Sequence, residues 1–161
     1  MGTNTNEKRK KRMNNPFIGI ESATKSKSGR YLCPGNWDLQ VVQVKLQDSK
    51  KNHGVTYFIA EFDVMTTDVE DFTKGDRVSW LVDLSQREDM WQADIKDFCM
   101  AIVGLTTETE TENNKVTAEG TFALCQPDNP ARGLKVSVRA YNHLTKRENH
   151  FTKTDWRPYA G

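Results

Sequence analysis

Between Ala131 and Tyr159 the chain interleaves cations with rings: Lys135, Arg139, Tyr141, Lys146, Arg147, Phe151, Lys153, Trp156 and Arg157. Cations can follow a phosphate backbone while flat rings stack on unpaired bases, so this mixture points to single-stranded nucleic acid as a ligand. Two further basic groups strengthen the reading. Lys50, Lys51 and His53 lie between two β-patterned runs, and His143, Lys146 and Arg147 lie between two others. Phosphate contacts are expected from Lys50, Lys51, Lys146 and Arg147 in loops and from Arg77, Lys135, Arg139 and Lys153 on strands. Tyr57 and Tyr141 fall on the parity opposite the apolar set, so they are the expected stacking rings, placed between the two basic loops.

Charge is unevenly distributed along the 161 residues, although the net value is only +1. Residues 1–58 carry 11 basic and 4 acidic side chains, residues 59–112 carry 4 and 14, and residues 113–161 carry 8 and 4. Segregation of this kind predicts a two-faced surface, one face of which suits a polyanion.

Catalytic constellations are not evident. The chain has no G-x-x-x-x-G-K-[ST] loop, no G-x-S-x-G elbow and no H-E-x-x-H pair. The carboxylates Asp83, Glu88, Asp89, Asp94 and Asp97 cluster around an expected helix start, where they complement the helix dipole. Cys33, Cys99 and Cys125 are odd in number and lack zinc-type spacing, so reduced thiols are expected. Neither enzymatic activity nor a cofactor is expected. No apolar run approaches the roughly 18 residues that cross a bilayer, and the basic start is followed by polar residues rather than a signal-peptide core. A cytoplasmic protein without membrane contact is expected, or a nuclear one on the same grounds.

The elements that must position these residues are mostly strands. Residues 1–30 are polar, with Phe17, Ile18 and Ile20 as their apolar anchors, and read as a basic, largely flexible arm; Lys8 to Arg12 form its charged core. From Trp37 the pattern alternates through Leu39 and Val41, then changes phase to Val42, Val44 and Leu46, which predicts a bulged first strand. Phe58, Ala60, Phe62 and Val64 define a second strand, and Val78, Trp80, Val82 and Leu84 a third. Trp91, Ile95, Phe98, Cys99, Ile102 and Val103 recur at helical spacing, between an Asp89 cap and a Gly104 stop. After the Thr-Glu repeat at 106–112, a short second helix interrupted by Gly120 is read over Ala118 to Cys125. Leu134, Val136, Val138 and Ala140 then mark a fourth strand, and Phe151 to Arg157 a fifth. Trp37, Phe58, Phe62, Trp91 and Phe98 are assigned to the core, Trp80 is read as structural, and Trp156 is left open.

Three strands, a helix and two strands is the order of a five-stranded OB-type barrel, with its helix between strands 3 and 4, here over residues 31–161. In that fold ligands cross the strand 2–3 face between the loops joining strands 1–2 and 4–5. These are the two basic loops.

Residues 31–37 (Tyr-Leu-Cys-Pro-Gly-Asn-Trp), 58–64 (Phe-Ile-Ala-Glu-Phe-Asp-Val), 78–82 (Val-Ser-Trp-Leu-Val), 94–98 (Asp-Ile-Lys-Asp-Phe) and 151–158 (Phe-Thr-Lys-Thr-Asp-Trp-Arg-Pro) together resemble a group of small phage replication proteins. These are phage-encoded OB-fold proteins, some of which act as single-stranded DNA-binding proteins. The likeness spans roughly residues 30–158. It implies non-sequence-specific binding and protection of single-stranded DNA, or RNA, in phage replication or recombination, in the host cytoplasm, with replication or recombination proteins and further copies of the chain as candidate partners. Many such proteins end in an acidic tail that recruits partners. This chain ends Trp156-Arg157-Pro158-Tyr159-Ala160-Gly161, so the Thr-Glu repeat is the available substitute. The competing reading is an OB-fold interaction adaptor or recombination mediator that does not touch DNA.

Overall fold

The structure, a computed structural model, describes residues 17, 30–51, 53–105, 116–144 and 150–161. It is mainly β. Five strands, β1 (Gly35–Asp48), β2 (Thr56–Thr67), β3 (Arg77–Asp83), β4 (Lys135–Leu144) and β5 (His150–Pro158), form one antiparallel sheet in the order β3-β2-β1-β4-β5. Helices α1 (Glu88–Ile102) and α2 (Ala118–Leu124) both fall between β3 and β4 in the chain. No helix among the described residues is long and apolar enough to cross a membrane.

Alternation explains the sheet. Along β2, Phe58, Ala60, Phe62 and Val64 are buried, while Tyr57, Ile59, Glu61 and Asp63 turn to the other face. In β3, Val78, Trp80 and Val82 are buried, as are Val136, Val138 and Ala140 in β4. The phase change expected in β1 is a register shift between Val41 and Gln43, and a second shift lies between Asp38 and Leu39. The bulge exposes backbone groups that must be paired elsewhere, and the connection from α2 to β4 pairs them. Asn129 Oδ1 accepts from the Val44 amide at 2.7 Å, the Gly133 amide donates to the Val41 carbonyl at 2.8 Å, and Arg132 Nε donates to the Val42 carbonyl at 3.0 Å. β1 therefore pairs with β4 only from Gly35 to Gln40, while it pairs with β2 from Trp37 to Asp48.

An aromatic cluster fills the inner face. Phe98 of α1 meets Phe58, Phe62, Trp80 and Trp156, at ring separations from 4.9 to 6.1 Å. Trp156, which alternation alone left open, is a core residue, only 7% exposed. Its Nε1 is buried without a hydrogen-bond partner among the described residues. Trp80 is buried as well, in line with its parity.

The edge of β3 away from β2 is covered by the residues before β1. Leu32 donates its amide to the Ser79 carbonyl, and Ser79 donates to the Arg30 carbonyl, each at 2.9 Å. Arg30 anchors this segment: its guanidinium lies 3.5 Å from the Phe72 ring centroid, donates to the Asp71 carbonyl at 2.7 Å and approaches buried Asp76 at 3.6 Å. No ladder joins β3 to β5, so the sheet is open along that line.

Several expectations need correction. Leu46 and Leu134 have the inward parity but are exposed. Trp91 is half-buried, packed against the core from its edge, and Val103 is exposed because it lies past the last turn of α1, at its C-cap. The cap position of α1 is Arg87 rather than Asp89, and it makes no side-chain capping bond. At the other end Gly104, at φ 78°, ends the helix as expected, with its amide donating to the Ala101 carbonyl and the Leu105 amide to the Met100 carbonyl.

Candidate nucleic-acid interface

The expected site residues fall into three groups rather than one. Lys135, Arg139 and Tyr141 share the outward parity of β4, and the register sets Tyr141 opposite Lys153, Arg139 opposite Asp155 and Ser137 opposite Arg157 on β5. Lys135 and Arg139 are exposed, while Tyr141 and Lys153 are half-buried. Each β4 cation lies near a ring. The Arg139 guanidinium is 5.0 Å from the Tyr141 centroid, and Lys135 Nζ is 5.6 Å from that of Tyr159. Such contacts hold long side chains near one rotamer, which reduces the entropy lost when a phosphate or base arrives.

The second group lies on the outer face of β2 and β3, where Tyr57 is half-buried. It pairs with Gln47 near the end of β1 and with Asp83 at the end of β3. Tyr141, by contrast, follows Ala140, whose partner is Gly35 at the start of β1. The two tyrosines both point outward, as their parity requires, but they sit at opposite ends of β1 rather than side by side. Arg77 is not a spare cation: its Nε lies 3.1 Å from Asp63 Oδ1, and its Nη1 lies 3.9 Å from Glu61, which also faces Lys45 at 3.6 Å. Paired carboxylates neutralise this part of the surface.

Lys50 and Lys51 make up the third group, exposed in the turn between β1 and β2, which is closed by the Ser49 amide donating to the Val55 carbonyl at 2.8 Å. Lys146 and Arg147 lie outside the described residues, as does most of the expected second basic loop.

A polar cleft of about 400 Å³ adjoins the β4–β5 face, lined by Asn36, Asp38, Asp68, Ser137, Arg139 and Arg157 among others. Ser137 Oγ and Thr66 Oγ1 donate to the two oxygens of Asp38, at 2.6 and 2.7 Å. Asp68 accepts from the Asn36 amide and from Asn36 Nδ2, both at 2.9 Å, and these bonds hold its carboxyl below the usual range. Gly35 sits under this corner at φ 147°, where a Cβ would meet Asp68 Oδ1 at 2.8 Å.

Neither a family model nor a curated protein matches the chain. The residues themselves must carry the assignment.

Acidic side chains bound the β4–β5 face on the α1 side. Burial pushes the Asp94 carboxyl up, and Asp97 adds to the shift while Lys153 opposes it. Burial likewise raises Asp97, with Asp155 adding and Lys96 opposing. Lys153 thus sits in the field of Asp94 on α1, which reduces its pull on a phosphate. Arg157 and Tyr159 are the residues that strand parity undervalued. Arg157 is exposed and lines the cleft, with Asp155 at 2.7 Å, and Tyr159 stands beyond the end of β5 against Lys135. The i, i+2 spacing of Lys153, Asp155, Arg157 and Tyr159 carried the signal for both.

Proposed function

We propose that this chain is a non-enzymatic OB-type domain that binds and protects single-stranded DNA, with little sequence preference, in phage replication or recombination. The observation that carries the reading is the pair of cation–ring contacts, Arg139 with Tyr141 and Lys135 with Tyr159, on one exposed face beside a polar cleft. Cations there would take phosphates and rings would take bases, the two components of sequence-tolerant single-strand binding. Strand order supports the fold assignment. A bulged β1 shared between β2 and β4, with α1 between β3 and β4, supports an OB-type arrangement, and the approach of the β3 and β5 rings is in keeping with it although no ladder joins those strands.

The binding surface in this proposal is β4–β5 with the adjoining start of β1; the turn of Lys50 and Lys51 lies at the other end of β1 and stands apart from it. It differs from the usual OB surface on β2–β3. Glu61, Asp63 and Asp83 on that face disfavour a polyanion, and the same feature favours the second reading, an adaptor whose β2–β3 face meets protein. Titration with oligo-dT, the matching RNA and duplex DNA at two salt concentrations separates the two. A coating protein binds the single strand most tightly and weakens as salt rises, whereas an adaptor binds none of the three.

A further inference from the structure

Register lines up four residues across the outer face of the sheet: Thr66 of β2, Asp38 of β1, Ser137 of β4 and Arg157 of β5. All four line the cleft of about 400 Å³, together with Arg139 and the apolar Trp37 and Val138. A cleft of this volume is in the range that takes small ligand groups, about 300–1,000 Å³.

Asp38 holds the middle of the row, half-buried. Ser137 Oγ donates to its Oδ1 at 2.6 Å and Thr66 Oγ1 to its Oδ2 at 2.7 Å. One hydroxyl on each oxygen, from strands on either side, fixes the plane of the carboxylate and leaves each oxygen with further lone pairs. Both hydroxyls are neutral, so the negative charge stays in the cleft. A fixed carboxylate repels phosphate and accepts from a ligand that donates two parallel N–H groups. The second carboxylate, Asp68, is exposed beyond the end of β2, whereas Asp38 pairs directly with β4.

On a single strand the Watson–Crick edges of the bases are open to such contacts. Guanine presents two adjacent donors there, N1–H and the N2 amino group. Adenine and cytosine each present one amino donor beside a ring-nitrogen acceptor. Thymine presents one N–H between two carbonyl oxygens. A carboxylate with both oxygens available therefore selects guanine. Arg139 and Arg157 bound the β4–β5 side of the same cleft, and arginine donors suit the guanine O6 acceptor.

We propose that this cleft seats one guanine base of the bound strand, with Asp38 accepting from its N1–H and N2–H groups. The inference rests on the single-strand reading above and adds a preference at one position to a grip that is otherwise sequence-tolerant.

Competition anisotropy tests it with three short oligonucleotides: oligo-dT, the same strand with one central deoxyguanosine, and the same strand with deoxyinosine there. Inosine keeps N1–H and O6 but lacks the N2 amino group. The guanine strand should bind the wild-type chain about five- to a hundredfold more tightly than oligo-dT, the range of a good bidentate base contact. Inosine should lose most of that gain. Asp38→Asn, which can exchange a hydrogen bond with each hydroxyl if one of them reverses, should bring the guanine and thymine affinities together. The inosine comparison uses the wild-type chain and so does not depend on how the variant folds. Equal binding of the guanine and thymine strands, or a full gain retained by inosine or by Asp38→Asn, overturns the proposal while leaving the single-strand reading standing. Failure of all three strands to bind overturns that reading, and this inference with it.

Discussion

Trp80 of β3 and Trp156 of β5 lie with ring centroids 4.7 Å apart and planes inclined at 59°, although β2, β1 and β4 separate their strands in the sheet. Strands spaced about 4.8 Å apart would hold these rings some 19 Å apart in a flat sheet. The contact therefore measures how far the sheet curls, and Phe98 of α1 packs against both rings. Curling directs the outward residues of β4 and β5 to solvent while their inward neighbours form the core.

Trp156→Ala should accordingly be the most damaging single change in β5, costing about 3–5 kcal/mol as for other large-to-small aromatic substitutions in cores. Trp156→Phe keeps most of the ring volume and removes the unbonded indole N–H, so it should cost much less. Urea denaturation of the two variants measures the difference.

Tyr141→Ala should weaken single-strand binding about five- to a hundredfold, the equivalent of about 1–3 kcal/mol of stacking per base. The salt dependence should not change, because no phosphate contact is lost. Tyr57→Ala should have a smaller effect, since Tyr57 stands at the other end of β1 beside Asp83. Fluorescence anisotropy with labelled oligo-dT distinguishes the two tyrosines.

Lys135→Ala and Arg139→Ala should each lower affinity and also flatten the salt dependence, by about 0.7 in the log–log slope for every phosphate contact removed. Arg77→Ala should leave that slope nearly unchanged, because its charge is engaged by Asp63 and Glu61.

Stability should respond to pH through Asp97. Burial, with Asp155 adding, raises its carboxyl above the ordinary range. The folded state then holds the proton more tightly than the unfolded state, so stability falls as pH rises from the ordinary carboxylate value through the raised one. Asp97→Asn should therefore raise the thermal midpoint at neutral pH, and the gain should vanish in acid below the ordinary carboxylate range. Differential scanning calorimetry at several pH values follows this.

Much of the fold was legible in local pattern. Strict alternation marked β2 and β3, and the phase change at Val41–Val42 marked the bulge in β1. Parity gives the side of a sheet but not the position along it, which is why Tyr57 and Tyr141 read as neighbours and are not. The pairing of Arg77 with Asp63 depends on cross-strand register between residues 14 apart, and no local window contains that. Trp91, Val103, Leu46 and Leu134 have core periodicity, but periodicity does not say whether another element arrives to cover a residue. Trp156 was undecidable from alternation because its neighbours come from β2, β3 and α1 through the curl of the sheet.

Single-strand binding is measured by titration of the protein with oligo-dT across a range of salt, with duplex DNA of equal length in parallel. Binding through about four to six phosphates gives a log–log salt slope near −3 to −4 for a single strand, at about −0.7 per phosphate. A protein that coats single strands should show that slope together with a clear preference for the single strand. Tighter binding to the duplex, or undetectable binding at low salt, would contradict it.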